Sequence, residues 1–442
     1  MVSGVAKSGI SAARLLKKLG AEVTIQDAKT EDKLGDVVSE LKSEGINLFL
    51  GANPDDIVEG MDILVMSPGV PTDLPFVEKA KKAGVKVMGE IELAWLFCKS
   101  PVIGITGTNG KTTTTTLVGE ILKAYFNNSY VVGNIGNPFA DCCLDTSEDG
   151  CVVAELSSFQ LETIDTFKPK VSAVLNITPD HLNRHHTMEC YSKTKENISM
   201  NQTKDDVCVL NMEDEELYRF GSECPAKVVW FSSKRKPEIG AYVQGDDIRY
   251  TDGTTDELML NVHDMNLLGT HNYENVCAAI AMTKAAGIPD DIIVQQVKKF
   301  KAVEHRIEYV ATKNDVWYYN DSKGTNPEAS VKAIEAMVRP TILIGGGYDK
   351  GSEFDMYVKA FKGKVKKLVL IGQTANKIAQ TCDKYGFKDY VFANDLKEVV
   401  DICAASADKG DAVLLSPACA SWGMFDNYEQ RGDMFKQYVN EL

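Results

Sequence analysis

A chain of 442 residues with 44% hydrophobic and 25% charged residues has the composition of a globular protein of two to four domains. Its formal charge of −15 argues against a nucleic-acid scaffold, which carries a basic face, although cations and backbone N–H groups clustered locally can still hold an anion. No run of about 18 apolar residues occurs. The N-terminus has no basic segment followed by an apolar one, and the eleven cysteines are scattered without CxxC spacing, so a soluble, reduced, cytoplasmic protein is expected.

Short β-branched runs alternate with helical patterns almost throughout, which predicts parallel sheets covered by helices. Three blocks are expected, with borders good to several residues: 1–98, 99–302 and 303–442. In the first, Gly4-Val5-Ala6-Lys7-Ser8-Gly9 opens an amphipathic helix ending near Gly20, and strands are expected at 22–26, 63–67 and 85–88, a Rossmann-like unit. Only Met1–Ser3 precede the glycine turn; either the first strand is stubby or the natural start lies a few residues upstream. In the second block strands are expected at 102–106, 151–156, 171–177, 207–211 and 228–231, with a hairpin over 242–250 around Gly245-Asp246. A helix over 273–286 is stopped by Gly287 with Pro289 beyond. In the third block strands at 316–320, 341–345, 367–371, 390–392 and 412–415 predict a second Rossmann-like unit.

The strongest local signal is Gly104-Ile105-Thr106-Gly107-Thr108-Asn109-Gly110-Lys111-Thr112-Thr113, between an expected strand and helix. Glycines turn backbone N–H groups toward phosphate oxygens, and the helix N-terminus adds partial positive charge. Lys111 can reach the β- and γ-phosphates, and the Thr112 hydroxyl can bind Mg²⁺. The GxxxxGK[ST] pattern is imperfect, since Ile105 stands where its first glycine belongs. The alternative is a glycine-rich turn with a surface lysine; the strand–loop–helix context favours phosphate. Ligands bind at the carboxyl ends of parallel strands, so Glu155 and His181, each following an expected strand, should converge with Lys111. Glu155 suits Mg²⁺ as a hard oxygen ligand; beside His181, Asp180 and His185 stay open as the active group.

These segments carry a resemblance to a known family. TGTNGKTT, ELSSFQLE, NITPDHLNRH, Gly269-Thr270-His271-Asn272-Tyr273-Glu274-Asn275, Glu304-His305-Arg306-Ile307-Glu308 and Asn320-Asp321-Ser322-Lys323-Gly324-Thr325-Asn326 occur in the order found in the Mur ligases. The resemblance spans essentially the whole chain. It implies an ATP-dependent, magnesium-dependent amide ligase that phosphorylates a substrate carboxylate and lets an amine displace the phosphate. It implies a three-domain α/β fold whose central domain binds the nucleotide and whose flanking blocks close on it by hinges near 98 and 303. Gly107, Thr108, Asn109, Gly110, Lys111, Thr112 and Thr113 would hold the ATP phosphates. Thr112, Glu155, His181 and Lys195 would hold metal, Lys195 as a carbamate. An ammonium beside Mg²⁺ would be repelled, whereas a carbamate offers an anionic oxygen; Lys193 is the rival position. Asn275 would lie by the adenine, and Arg306, Asp321 and Lys323 by the transferred phosphate, with a structural salt bridge the alternative for Arg306.

Within the family the chain is most similar to the branch that adds D-glutamate to UDP-N-acetylmuramoyl-L-alanine in peptidoglycan precursor synthesis. Lys7, Ser8, Asp27, Ala28, Lys29, Ser67, Pro68 and Gly69 fall where that branch contacts the UDP moiety. Asn134, Ser157 and Gln160 are further substrate candidates, and Thr325, Lys350, Ser421, Trp422 and Tyr428 would read D-glutamate. Two positions depart from the branch: Trp422-Gly423 replaces a hydrophobic-then-acidic pair, and Tyr428 stands where Phe is common. No DNPR segment like that of the diaminopimelate-adding relative occurs. Neither nucleic acid nor membrane is expected as a partner, and a monomer is expected. Three other readings remain: another Mur ligase or a folylpolyglutamate synthase-like enzyme, a nucleotide switch, and a dinucleotide oxidoreductase. The last is weak, because Ala6 replaces the second glycine of GxGxxG.

Overall fold

The computed structural model describes residues 1–267, 269–301 and 303–442. Ala302, the last residue of the expected middle block, therefore lies outside the described residues. Among the described residues there are three sheets, in chain order. The first contains β1 (Val2–Ser3), β2 (Thr24–Asp27), β3 (Asn47–Leu50), β4 (Ile63–Met66) and β5 (Lys86–Gly89), all parallel, in the order β3-β2-β1-β4-β5. The stubby β1 is the central strand: two residues suffice because Val2 and Ser3 pair on both sides and Gly4 N–H continues the ladder to Gln26 O at 2.7 Å.

The second sheet contains β6 (Val102–Thr106), β7 (Ser129–Gly133), β8 (Cys151–Glu155), β9 (Val171–Val174), β10 (Val207–Asn211), β11 (Lys227–Ser232), β12 (Gly240–Gln244), β13 (Asp247–Thr251) and β14 (Asp256–Asn261). Its order is β14-β13-β12-β11-β10-β9-β6-β8-β7, antiparallel only from β12 to β14. β6, β8 and β9 are buried throughout, as strands covered on both faces must be. The helix Lys111–Tyr125 buries Leu117, Val118, Ile121 and Leu122, a stripe of helical period, and packs on β7 and β8. The third sheet contains β15 (Glu308–Lys313), β16 (Val316–Asn320), β17 (Thr341–Gly345), β18 (Val365–Leu370), β19 (Tyr390–Phe392) and β20 (Ala412–Leu415) in the order β15-β16-β20-β17-β18-β19, with β15 alone antiparallel among the described strands.

By packing, the chain forms two compact units: Met1–Val262 with Glu274–Val297, and His263–Tyr273 with Lys298–Leu442. The first unit carries the first two sheets. Its helix Glu90–Trp95 is tied to the second sheet's loops by two buried carboxylates. Glu90 accepts from Ala140 N at 2.6 Å, and Glu92 from the backbone N–H groups of Asp165, Thr166 and Phe167 at 2.7–3.0 Å. The second unit carries the third sheet.

Four strands had no counterpart in the sequence reading, β3, β7, β14 and β15, and all four are sheet edges. One expected strand is shorter than its apolar run: β9 ends at Val174, not Ile177. Asn176 instead turns to the preceding loop, accepting from Asn109 N at 2.8 Å and donating to Asn109 O at 3.0 Å.

Candidate active site

In the first unit, β6 runs into the glycine loop and the helix Lys111–Tyr125 begins at its end. Gly110 has φ +84°, and a Cβ there would stand 2.3 Å from Asn275 Oδ1, so a side chain is excluded and Asn275 lies against the loop itself. Lys111 folds back, its Nζ donating to Gly107 O at 2.8 Å and Thr108 O at 3.0 Å. Thr108 Oγ1 accepts from Thr178 N at 3.0 Å and meets Tyr191 Oη at 3.1 Å. Thr112 is partly exposed at the helix start, whereas Thr113 is buried.

Parallel register brings the neighbouring strands' ends to this loop: Ile105 pairs with Glu155, and Thr106 with Val174. Glu155 is 1% exposed; its Oε1 accepts from Asn134 Nδ2 at 2.7 Å, and its Oε2 is buried with no hydrogen-bond partner among the described residues. A buried, unpaired carboxylate oxygen is costly, and a hard cation there would relieve it. Among the described residues no three His, Cys, Asp or Glu side chains converge as a metal site. The fit is to Mg²⁺, which takes few protein ligands and keeps water and phosphate oxygens.

The two lysine candidates separate. Lys193 is exposed and pairs with Glu189 at 3.0 Å. Lys195 is 1% exposed, donates from Nζ to the same Gly107 carbonyl at 2.9 Å, and lies 4.7 Å over the Tyr191 ring. Burial, reinforced by Lys111, pushes its ammonium down to about 7. The histidines separate too. His185 is buried, with Nε2 2.9 Å from Ser158 Oγ, and burial lowers its pKa. His181 is half-exposed in a left-handed conformation (φ 52°), near Asp180 and 4.9 Å from the Phe159 ring. Ser157 and Gln160 bond each other as a helix capping box, Ser157 N donating to Gln160 Oε1 at 2.9 Å.

A cavity of about 510 Å³ opens at the carboxyl ends of β1 and β2. Asp27, Ala28 and Gly69 line it, as does the loop Gly51-Ala52-Asn53-Pro54 after β3, with Leu74 and Phe76 supplying apolar wall. Asp27 is fixed by Val5 N at 2.8 Å and Lys29 N at 2.9 Å. Ser67 is buried against Gly4, where its Oγ donates to the carbonyl at 3.3 Å, so it shapes the glycine turn from behind. Lys7 Nζ donates to Gly136 O at 2.9 Å. Lys7, Ser8, Lys29, Ser67 and Pro68 are not among the described residues lining this cavity.

In the second unit, Asp321 follows β16 and is buried, accepting from Ser416 Oγ at 2.6 Å and Ile307 N at 3.3 Å. That places Arg306 beside Asp321, between two residues of positive φ, His305 (63°) and Ile307 (45°). Such backbone is costly for non-glycine residues and clusters at functional sites. Lys323 Nζ lies 5.4 Å over the Tyr428 ring, and Thr325 N donates to Lys323 O at 2.9 Å. Lys350 Nζ lies 4.6 Å over Trp422, which follows buried Ser421. The loops carrying them meet: Tyr348 N donates to Ala420 O at 2.9 Å.

Three family models match the chain in order: a Mur ligase MurD-like N-terminal domain at 1–89, a Mur ligase middle domain at 105–283, and a Mur ligase glutamate ligase domain at 305–419. The chain belongs to the Mur ligase family. It is 66% identical to a UDP-N-acetylmuramoylalanine--D-glutamate ligase of Lachnospira eligens over 100% of this chain and 98% of that protein. It is 51% identical to the protein of the same name from Lachnoclostridium phytofermentans, with the same coverage. Among solved structures it is similar in fold to the UDP-N-acetylmuramate-alanine ligase MurC of Thermotoga maritima (TM-score 0.61, 18% identity, covering 100% and 98% of the two chains). A MurF ligase from the same organism, solved with ADP, gives 0.59 at 17% identity over 86% and 95%. The three-domain α/β architecture of this Mur ligase is thereby established.

One residue of this Mur ligase escaped the sequence reading. Arg431 is 2% exposed and bridges both loops of the second unit: Nε donates to Ser322 Oγ at 2.9 Å, Nη2 to Ser322 O at 2.7 Å and Nη1 to Cys419 O at 3.2 Å. Burial pushes its pKa down to about 10. Its setting, Gln430-Arg431-Gly432 on the helix Tyr428–Asn440, reads in sequence as a solvated helix face.

The Mur ligase's Asp321 gives a pH prediction. Burial raises its carboxyl from 3.8 to about 7 against the opposing pull of Ser416 and Arg306. Between those values the folded protein binds more protons than the unfolded one, so stability falls as pH rises through this window, on the order of 4 kcal/mol in total. Asp321→Asn is expected to raise the melting temperature at about pH 8 and to leave it nearly unchanged near pH 4. Calorimetry at both pH values checks this; an equal shift at both would mean the carboxyl's ionisation is not the cause.

Proposed function

We propose that this Mur ligase joins the amine of D-glutamate to the carboxyl group of UDP-N-acetylmuramoyl-L-alanine at the expense of ATP, through an acyl phosphate, in peptidoglycan precursor synthesis. The observation that carries the reading is the 66% identity, end to end, with a ligase named for that reaction. The 1–98 domain is assigned to the uridine nucleotide, where the apolar wall and Asp27 suit a base and a ribose hydroxyl. The 99–302 domain is assigned to ATP and the 303–442 domain to the amino acid.

Gly107–Thr113 hold the phosphates, with Lys111 as the cation on the β- and γ-groups. Thr112, Glu155, His181 and Lys195, the last as a carbamate, would hold Mg²⁺. The bound magnesium would neutralise charge on the transferred phosphoryl group. Arg306 and Lys323 face the charge that grows during transfer, with Asp321 orienting Arg306, and Asn275 serves the nucleotide. Lys350, Thr325 and Ser421 bind the D-glutamate carboxylates, a task for one cation and two hydroxyls, with Trp422 beside Lys350 and Tyr428 beside Lys323 in the same site. Among the described residues no helix is long and apolar enough to cross a membrane, and all eleven cysteines are free; a cytoplasmic monomer is proposed.

The test is phosphate release with ATP, Mg²⁺ and UDP-N-acetylmuramoyl-L-alanine, screened over D-glutamate, L-lysine and meso-diaminopimelate. Turnover with either of the other amino acids in preference to D-glutamate would sink the assignment. In the same assay Lys350→Ala should raise the KM for D-glutamate by roughly 10-fold or more, the value of a charge-assisted bond, with the KM for ATP little changed. Equal effects on both would remove Lys350 from the amino-acid site.

A further inference from the structure

Lys350 lies on the exposed loop after β17, where a long cationic side chain would ordinarily sweep through many rotamers. Here its Nζ sits 4.6 Å from the centroid of the Trp422 ring. Trp422 is itself braced: its ring meets Tyr348 edge-on at 5.6 Å, and Tyr348 is anchored by its backbone N–H on Ala420 O at 2.9 Å. Yet Trp422 remains 53% exposed and Tyr348 40%. Two large aromatic rings standing out of the surface, one of them beneath an ammonium and the other against that ring, are not explained by core packing. Nor is the ammonium claimed by an acid: among the described residues no carboxylate lies within 4 Å of Lys350 Nζ, and its neighbour Asp349 is engaged with Gly351 N and Lys377.

The distinction matters chemically. A salt bridge would occupy at least one of the ammonium's three N–H donors and offset the charge that a ligand carboxylate seeks. The face of an indole holds the charge by its quadrupole and leaves the donors available. It also fixes the cation in place before binding, which lowers the entropy lost when the carboxylate arrives.

We propose that Trp422, braced by Tyr348, is the positioning residue for Lys350, holding its ammonium ready for a carboxylate of the incoming amino acid rather than touching that amino acid itself. This rests on the D-glutamate reading above and adds the route by which Trp422 acts.

The experiment is a double-mutant cycle on the full chain with D-glutamate as the varied substrate. Trp422→Leu should raise the KM for D-glutamate roughly two- to fivefold, the range of an exposed cation–π contact, without moving the KM for ATP. Trp422→Phe, which keeps an aromatic face, should restore most of the loss. In a Lys350→Ala background Trp422→Leu should add nothing, because the cation it positions is gone. Equal effects of Trp422→Leu in both backgrounds, or none in the native background, would overturn the proposal while leaving D-glutamate ligation in place. A native enzyme that releases no phosphate with D-glutamate would overturn the functional reading and this proposal together.

Discussion

Replacing Lys111 by Ala is expected to abolish ligation, lowering kcat by roughly 10³-fold or more, while the fold survives. The physical reason is the distribution of charge. In phosphoryl transfer the protein contributes mainly positioning and electrostatic stabilisation, and loss of one well-placed donor costs about 10²–10³ in rate. Lys111 begins the helix Lys111–Tyr125, so its charge adds to the partial positive charge of the helix terminus. Its hydrogen bonds to Gly107 O and Thr108 O lie within its own loop, at a partly buried position, so their loss should not unfold the sheet. Phosphate release and the melting temperature, measured on the same preparation, decide the matter. Full turnover in a folded Lys111→Ala protein would end the phosphate-loop role.

Replacing Lys195 by Ala should silence the enzyme as thoroughly, with a different signature: partial recovery on adding a short carboxylate such as acetate. Lys195 points its Nζ at Gly107 O from inside the protein, and burial beside Lys111 brings its pKa down to about 7. An ordinary lysine near neutral pH is almost entirely protonated and cannot attack CO₂. One with a pKa of about 7 is about half neutral there. Its nitrogen can then form the N–C bond and lose a proton, leaving an anionic carbamate in place of a cation that would oppose Mg²⁺. Acetate supplies a similar anion to the space left by the alanine. The unmodified amine also leaves a thermodynamic trace. Between about 7 and 10.5 the unfolded chain binds more protons than the folded one, so stability should rise with pH across that window and the slope should vanish in Lys195→Ala. Activity retained without rescue would falsify the role of Lys195.

The most legible strands in the sequence were those buried on both faces, although the edge strands β5 and β19 were read as well. β6, β8, β17 and β20 are short continuous apolar runs with every residue buried, and such runs announce themselves. Four of the six described edge strands, β3, β7, β14 and β15, did not, because an edge strand is supported on one side only and can carry a mixed pattern. Asp256-Glu257-Leu258-Met259-Leu260-Asn261 and Glu308-Tyr309-Val310-Ala311-Thr312-Lys313 are strands by virtue of β13 and β16 beside them, not of their own composition. The same blindness hid part of the cavity at the carboxyl ends of β1 and β2: the Gly51–Asn53 loop lies at the end of the missed β3, so nothing in sequence marked it as a wall.

The sequence by itself determined the glycine-rich loop between strand and helix, the order of the motifs and the family, because each rests on residue types at fixed local spacing: glycine where the backbone turns tightly, lysine and threonine where a helix begins. What only the tertiary structure decided was which of several chemically equal candidates faces the site. Lys195 rather than Lys193 turns inward because two positions along a helix lie on different faces, and one of them pairs with Glu189 in solvent. Glu155 reaches the end of the glycine loop because β8 lies in register beside β6, and its Oε2 has no hydrogen-bond partner among the described residues. Arg431 bridges two loops about a hundred residues apart in the chain. Contacts of that kind join residues distant in sequence, and no local pattern encodes them.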